Sequence, residues 1–308
     1  MASIGATLRL WRIGVVDTPT IFWFAVRRAA LTVGVSPDRI GRLMLANNHR
    51  KFARFDRRWV RTGSDGAQYY DFKGARLPFE EKYRMYKVFF DSLAVYCLNK
   101  DRYTPRLAHD LDEWFEGPYG YTGDGIDVRV EPGDVVIDAG AWIGDFSAYA
   151  AVRGATSYAF EPTPELFEMV CRTAALNADG AIVPVQKGLG DSAGELGFSV
   201  CGLDQNGEGN TFLPHAGYDT IQVKITTIDD FVREQGLSRV DFIKADIEGF
   251  ERNMLAGARE TLQRFAPKLA LCTYHLPDDP QVMERLILEA NPRYRVVQLG
   301  KKLFAQAR

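Results

Sequence analysis

The chain lacks any uninterrupted apolar run near the ~20 residues that a membrane-spanning helix needs. Residues 13–35 come nearest, and Asp17, Arg27 and Arg28 interrupt them. No small-residue cleavage site follows a compact apolar core, so a secretory leader is not expected. Cysteine is scarce. Cys97, Cys171, Cys201 and Cys272 lie far apart with no Cys-x-x-Cys spacing, which leaves reduced thiols in a cytoplasmic protein as the expectation. Excess charge is missing as well: a formal net charge of −2 gives no electrostatic case for nucleic-acid binding. What remains is ordinary for a globular protein, and 308 residues suffice for one large domain or a core with an appendage.

The most telling absence is a single glycine. Residues 134–147 read Asp-Val-Val-Ile-Asp-Ala-Gly-Ala-Trp-Ile-Gly-Asp-Phe-Ser. The apolar run Val135-Val136-Ile137 suits a strand buried on both faces, Gly140 and Gly144 bracket a tight turn, and a helix is expected from Phe146. Strand, glycine turn and helix form the nucleotide-binding corner of a doubly wound sheet. A dinucleotide fingerprint needs a second glycine two residues after the first, where backbone meets pyrophosphate. Trp142 stands there instead, and its indole would obstruct a phosphate. The spacing points to S-adenosylmethionine, which has a ribose and an adenine but no phosphate. The second apolar strand, Tyr158-Ala159-Phe160-Glu161-Pro162, ends in an acid placed to accept from ribose hydroxyls. The alternative for Glu161 is a surface acid before a proline turn.

From 134 onward strands and helices alternate. Strands are expected at 134–138, 156–160, 182–186, 240–245, 268–274, 294–299 and 302–306, and helices at 146–152, 164–177, 227–235, 250–264 and 279–290. Gly300-Lys301 is short enough for a hairpin between the last two strands. The fold class is therefore α/β: a Rossmann-like methyltransferase sheet, mostly parallel, ending in an antiparallel hairpin. Residues 195–225 are too long for a plain connection and are expected to cover the site or bind substrate; Asn206-Gly207, Gly209-Asn210 and Thr211 are followed by a strand-like run, Thr220–Thr226. Residues 1–125 read as a mainly helical appendage, with helices at 20–34, 36–60 and 79–98, and 126–308 as the cofactor-binding domain, entered by a short strand at Val128–Val130. Trp11, Phe22, Trp23 and Phe24 among Arg9, Arg12, Arg27 and Arg28 suit a helix lying on a membrane surface, or one packed on its own chain or a dimer partner.

With these pieces assembled, the C-terminal part resembles the FkbM-type methyltransferase family. The matching runs are Val136–Gly144, Ala159-Phe160-Glu161-Pro162, Leu176-Asn177, Thr227-Ile228-Asp229-Asp230-Phe231, Phe242–Glu251 with its Lys-x-Asp-x-Glu-Gly-x-Glu pattern, Leu255-Ala256-Gly257-Ala258 and Pro267-Lys268-Leu269-Ala270, with Tyr274-His275 beyond. The resemblance covers little of residues 1–115. It implies transfer of a methyl group from S-adenosylmethionine, leaving S-adenosylhomocysteine. The acceptor is usually an oxygen, often on a sugar, glycan or secondary metabolite. Asp145 and Phe146 receive no firm role from it.

Cofactor and acceptor should meet at the carboxyl ends of the parallel strands. Asp138, Gly140 and Gly144 are expected around the methionine part of the cofactor, with helix-start N–H groups facing its carboxylate. Asp191 would accept from the adenine amino group or cap its own turn. A hydroxyl acceptor must lose its proton, which calls for a base or a metal. His275 is the first candidate for acceptor binding or base work, against a structural hydrogen bond, and Asp246 is the alternative base. Lys244 would lower the acceptor's pKa or pair with a carboxylate, and Glu248 would help bind the acceptor. Asp246, Glu248, Glu251 and His275 could supply hard metal ligands, but acids also favour a helix start, so no metal is the favoured expectation. Two other readings stay open: a nicotinamide oxidoreductase, and a non-catalytic assembly protein that keeps cofactor binding.

Overall fold

The computed structural model describes residues 52–81, 119–200, 210–213 and 217–308, and Leu8 by itself. The helix expected at 20–34 and most of that at 79–98 lie outside the described residues. Of the helix expected at 36–60, residues 52–59 are described and helical (α1). The chain then departs from the helical expectation. Three antiparallel strands follow, β1 (Val60–Thr62), β2 (Gln68–Phe72) and β3 (Ala75–Pro78). Tyr70, Phe72 and Leu77 alternate with polar residues along them, a period of two that the helical reading passed over. A hairpin comes next, β4 (Tyr121–Gly123) and β5 (Ile126–Val128), and the boundary expected after residue 125 falls in its turn.

The main sheet takes its first three strands from β6 (Val135–Ala139), β7 (Thr156–Phe160) and β8 (Ile182–Val185). A separate small sheet holds β9 (Gly188–Leu189), β10 (Gly194–Val200) and β11 (Asp219–Thr226). The main sheet resumes with β12 (Phe242–Ala245), β13 (Lys268–Cys272), β14 (Tyr294–Leu299) and β15 (Lys302–Ala307). Its strand order is β14-β15-β13-β12-β6-β7-β8. Strands β13, β12, β6, β7 and β8 pair in parallel, and β15 pairs antiparallel with both β13 and β14. This is the expected α/β sheet of the class I methyltransferases, with its C-terminal antiparallel hairpin.

Successive residues of a strand face opposite sides, and both sides here are covered. Ile137, Ile243, Leu269 and Leu271 face the side packed by α4 (Ile228–Glu234), α5 (Glu251–Ala256), α6 (Arg259–Arg264) and α7 (Asp279–Ala290). Their neighbours Val136, Phe242 and Ala270 face the other side, where α2 (Asp145–Val152) contributes Phe146 and the β4–β5 hairpin contributes Tyr121, Ile126 and Val128. The β1–β3 meander shares a core with α2 and α3 (Pro164–Leu176): Phe55, Trp59, Tyr70, Phe72 and Leu77 pack with Ala148, Leu166 and Val170. Asn177, just past α3, clips it in place. Its amide accepts from the Arg76 N–H at 3.2 Å and donates to the Arg76 carbonyl at 2.8 Å.

The helix expected over 250–264 is two helices, and Gly257 marks the break. A Cβ at Gly257 would lie 2.1 Å from the Gly190 carbonyl oxygen. The Gly257 carbonyl accepts from the Asp229 N–H at 3.0 Å, and the Asp229 carboxylate caps α6 through the Glu260 and Thr261 N–H groups at 2.9 and 2.8 Å. Gly257→Ala is expected to cost roughly 1–3 kcal/mol through overpacking against a backbone oxygen. Gly120, whose φ is not positive and whose added Cβ would meet nothing closer than 3.4 Å, should change by no more than about 1 kcal/mol as Gly120→Ala. Chemical denaturation of both variants checks the difference, and equal losses would remove the steric explanation.

Candidate functional site

The strand ends of β6 and β12 are drawn together more closely than side chains allow. Lys244 lies beside Asp138 and Ala245 beside Ala139. One residue further, the Asp246 N–H donates to the Ala139 carbonyl at 3.1 Å. A Cβ on Gly140 would stand 2.0 Å from the Asp246 carbonyl oxygen, and Gly140 has φ +74. Position 140 therefore needs glycine for two reasons, the left-handed backbone and the neighbouring chain. The requirement comes from the protein's own strand, not from a ligand. Gly144 has φ +83 and begins α2, and the Thr173 hydroxyl donates to the adjacent Ile143 carbonyl at 2.6 Å.

Beneath this turn sits an ion pair. Lys244 Nζ is 3.1 Å from Asp138 Oδ1, with the two side chains 5% and 0% exposed. The same ammonium donates to the Gly140 carbonyl at 2.6 Å and the Ala139 carbonyl at 3.3 Å. The other Asp138 oxygen accepts from the Ser147 hydroxyl of α2 at 2.6 Å. Burial by itself would lower the Lys244 pKa, but Asp138, Asp246 and Asp145 outweigh it and hold the amine above its usual range. Asp138 is fully buried against Lys244 and Ser147, and Lys244 takes the second of its two expected roles, pairing with a carboxylate while it donates to two carbonyls. Asp145, given no role from sequence, joins this group in the first turn of α2, where burial pushes its carboxyl up to about 7 against the pull of Lys244.

Glu161 follows the next strand. One carboxylate oxygen accepts from the Trp142 N–H at 3.1 Å and the other from the Thr163 N–H at 2.9 Å. Burial raises its pKa to about 7 in spite of these bonds. Trp142 has φ +50, and its ring packs against the core shared by the meander, α2 and α3. The obstruction foreseen from its indole thus takes another form. The Trp142 N–H that a phosphate would need is held by an acid, which would also repel a phosphate. A cavity of about 620 Å³ opens nearby, lined by Pro162, Pro184, Val185, Gln186, Lys187 and Phe231.

The third group lies past β12 and β13. Asp246 accepts from the Tyr119 hydroxyl at 2.6 Å and the Tyr274 hydroxyl at 3.3 Å. His275 is ringed by acids: Nε2 is 3.3 Å from Glu248 and 3.7 Å from Asp246, and Nδ1 is 3.2 Å from Glu251. Burial opposes the charged forms of both residues, yet their partners prevail. Lys244, His275, the Tyr119 bond and Lys302 hold Asp246 down to about 2, and Glu248, Glu251 and Asp246 push His275 up to about 11. This electrostatic setting lowers the proton affinity of Asp246 and favours the charged form of His275. Glu251 does hold a helix start, accepting from the Ile247 and Gly249 N–H groups at 2.8 and 3.1 Å. Glu248 precedes that helix in a left-handed turn with φ +52.

Asp191 is exposed and accepts from the Asn253 side chain of α5 at 2.9 Å. The 195–225 insertion is a β10–β11 hairpin whose residues 201–209 and 214–216 lie outside the described residues. Four of its residues reach the site. Asn210 donates to the Thr163 hydroxyl at 3.2 Å, Thr211 donates to the Glu248 carbonyl at 2.6 Å, and Leu213 closes over Gly249, whose Cβ would meet it at 2.7 Å. Phe212 packs between Phe198 and Phe250. Sequence reasoning missed Tyr119, 127 residues away from its partner Asp246, and nothing local marks it. Asn210 and Thr211 had a signal, a Gly-Asn-Thr run inside an insertion too long for a connection.

A family model described as the methyltransferase FkbM domain matches residues 138–295, a span that holds every site residue named above except Tyr119 and Lys302. Hexuronic acid methyltransferase AglP of Haloferax volcanii is 25% identical over 173 residues, which are 56% of this chain and 69% of that one. The 31-O-demethyl-FK506 methyltransferase FkbM of Streptomyces tacrolimicus is 27% identical over 170 residues, 46% of this chain and 64% of that one. A solved FkbM methyltransferase from Methylobacillus flagellatus is 19% identical with a TM-score of 0.48, over 94% of this chain and 72% of that one.

The buried pair under the turn yields a direct test. Lys244→Met keeps much of the stem but leaves Asp138 buried without a cation, which is expected to cost roughly 3–5 kcal/mol in urea unfolding. A loss below about 1 kcal/mol, the range of an exposed pair, would show that the turn does not depend on it.

Proposed function

The chain belongs to the FkbM methyltransferase family, and from that premise we propose that it methylates a hydroxyl oxygen of a sugar, glycan or secondary metabolite, with S-adenosylmethionine as donor. The observation that carries the cofactor reading is the set of acids at the strand ends. Glu161, Asp145 and Asp246 surround the turn, and the Trp142 N–H is held by Glu161. That rim suits a cationic sulfonium compound and disfavours a pyrophosphate, so the nicotinamide reading has no support. The name of the AglP relative makes a hexuronic acid the first acceptor to try.

In this reading each Glu161 oxygen, already accepting one N–H, has a lone pair left for one ribose hydroxyl. The adenine lies toward the cavity beside Pro162 and Lys187, and the methionine part lies along the turn from Gly140 to Gly144. The bound cofactor supplies an electrophilic methyl group. The protein's contribution is to hold the acceptor oxygen in line with it, to exclude water and to ease loss of the hydroxyl proton. His275, Glu248 and Asp246 line the acceptor side, under the Asn210–Leu213 cover. No helix among the described residues is long and apolar enough to cross a membrane, and a cytoplasmic enzyme acting on a diffusible or lipid-linked acceptor fits that.

Calorimetry with S-adenosylhomocysteine should show one site per chain, and absence of binding at millimolar ligand overturns the cofactor reading. Labelled methyl transfer to a panel of hexuronic acids and other sugars tests the activity, and binding without turnover on any of them would favour the assembly-protein reading. Glu161 gives a pH signature. Its carboxylate, the form that accepts from two hydroxyls, predominates above a pKa of about 7. Affinity for S-adenosylhomocysteine should therefore rise about tenfold from pH 6 to pH 8 in the parent and stay flat in Glu161→Gln. Equal affinity and equal pH response in the two proteins would remove the ribose assignment.

A further inference from the structure

The Asp246 carboxylate is held from both sides. Its Oδ2 accepts from the Tyr119 hydroxyl at 2.6 Å and its Oδ1 from the Tyr274 hydroxyl at 3.3 Å. The backbone of the same residue runs against the turn after β6. Its N–H donates to the Ala139 carbonyl at 3.1 Å, and its carbonyl oxygen passes 2.0 Å from where a Cβ on Gly140 would stand. Tyr119 is gripped in its turn. The Lys302 ammonium stands 4.7 Å from the centre of its ring and the Lys244 ammonium 5.1 Å from it, and Phe146 meets the ring edge-on at 5.5 Å. Lys302 is a buried residue of β15, opposite Cys272 of β13. A cation over an aromatic face is attracted by the ring's quadrupole, more strongly where water is excluded. Packing uses the ring, and the hydroxyl serves Asp246. The Asp246 side chain is 15% exposed, so the carboxylate is fixed without being sealed into the core.

We infer that Tyr119 is a positioning residue, which holds the Asp246 carboxylate beside the methyl group that the cofactor transfers. The inference rests on the proposed cofactor for what Asp246 faces, and on the bonds above for how it is held. Each Asp246 oxygen takes one tyrosine hydroxyl and keeps a second lone pair. A carboxylate fixed beside the methyl group accepts from the acceptor hydroxyl and so sets its oxygen in line with the methyl carbon. Without the Tyr119 bond the carboxylate can turn toward His275, whose Nε2 lies 3.7 Å from Oδ1. Tyr119 precedes the span 138–295 that matches the family model, so the positioning group is supplied from outside it.

The test needs no acceptor. Calorimetry on the whole chain at neutral pH compares S-adenosylhomocysteine with sinefungin, an analogue in which a carbon bearing an ammonium group replaces the methylated sulfur. That ammonium stands where the methyl group would. The readout is the ratio of the two affinities. The parent should bind sinefungin about tenfold more tightly, the scale of a hydrogen bond to a charged group. Asp246→Asn should abolish the preference. Tyr119→Phe, which keeps the ring and both ammonium contacts, should cut it by about threefold or more. A hydroxyl with a merely structural role would lower the thermal midpoint, or both affinities together, and leave their ratio where it was. No preference in a parent that binds S-adenosylhomocysteine overturns the placement of Asp246 and leaves the cofactor reading standing, as does a preference that survives in Asp246→Asn. A preference lost in Asp246→Asn but kept in Tyr119→Phe overturns the positioning role. If Asp246→Asn fails to fold, Tyr119→Phe decides alone. A parent that binds neither ligand overturns the proposed cofactor, and this inference with it.

Discussion

One buried ammonium organises the cleft. Lys244 comes from the middle of the sheet and ties together three things that repel or clash without it: the Asp138 carboxylate, two carbonyl dipoles of the turn after β6, and the end of β12 that carries Asp246. Buried charges are costly unless paired and hydrogen-bonded. Here the ammonium lies 3.1 Å from the Asp138 carboxylate and donates to two carbonyls, and the same contacts fix where the turn runs. The close approach at Gly140 follows, because only a residue without a side chain lets the Asp246 carbonyl pass. The placement of Asp246 follows in turn, and with it the Tyr119 and Tyr274 hydroxyls that converge on its carboxylate.

Around that centre the protein builds a cover from parts that are distant in sequence. The meander of residues 60–78 seals the α2–α3 side and is clipped by Asn177. The β4–β5 hairpin seals the Phe242 side and leads from Tyr119 into the core. The insertion after β9 lays Asn210–Leu213 across the top. Several residues that mark the family in sequence therefore turn out to hold the frame: Asn177 on the meander, Thr227 and Asp229 on the starts of α4 and α6, and Gly257 against Gly190.

The parallel sheet was legible because each of its strands is a short apolar run bounded by turn residues, and a strand buried on both faces advertises itself that way. The site was legible only as a list. Reading along the chain placed Asp138, Glu161, Lys244, Asp246 and His275 at strand ends. It could not tell which of them point inward, because that depends on pairing register and on neighbours up to 127 residues away. Asp138 and Lys244 found each other across β6 and β12, and both side chains are buried there. The meander was missed for a different reason. Its strands are three to five residues long, and the aromatic content of the first 125 residues suits a helix face as readily as a sheet.

The Asn210–Thr211 step has a thermodynamic meaning. One segment grips the loop after β7 through Thr163 and the loop after β12 through Glu248. A ligand that tightens or loosens that grip at one loop alters the free energy of the same segment at the other. Reciprocity then holds regardless of distance: the factor by which the first molecule to bind changes the affinity of the second equals the factor by which the second changes the first. The insertion is thus a mechanical link through which a protein with two neighbouring subsites can favour having both filled or both empty.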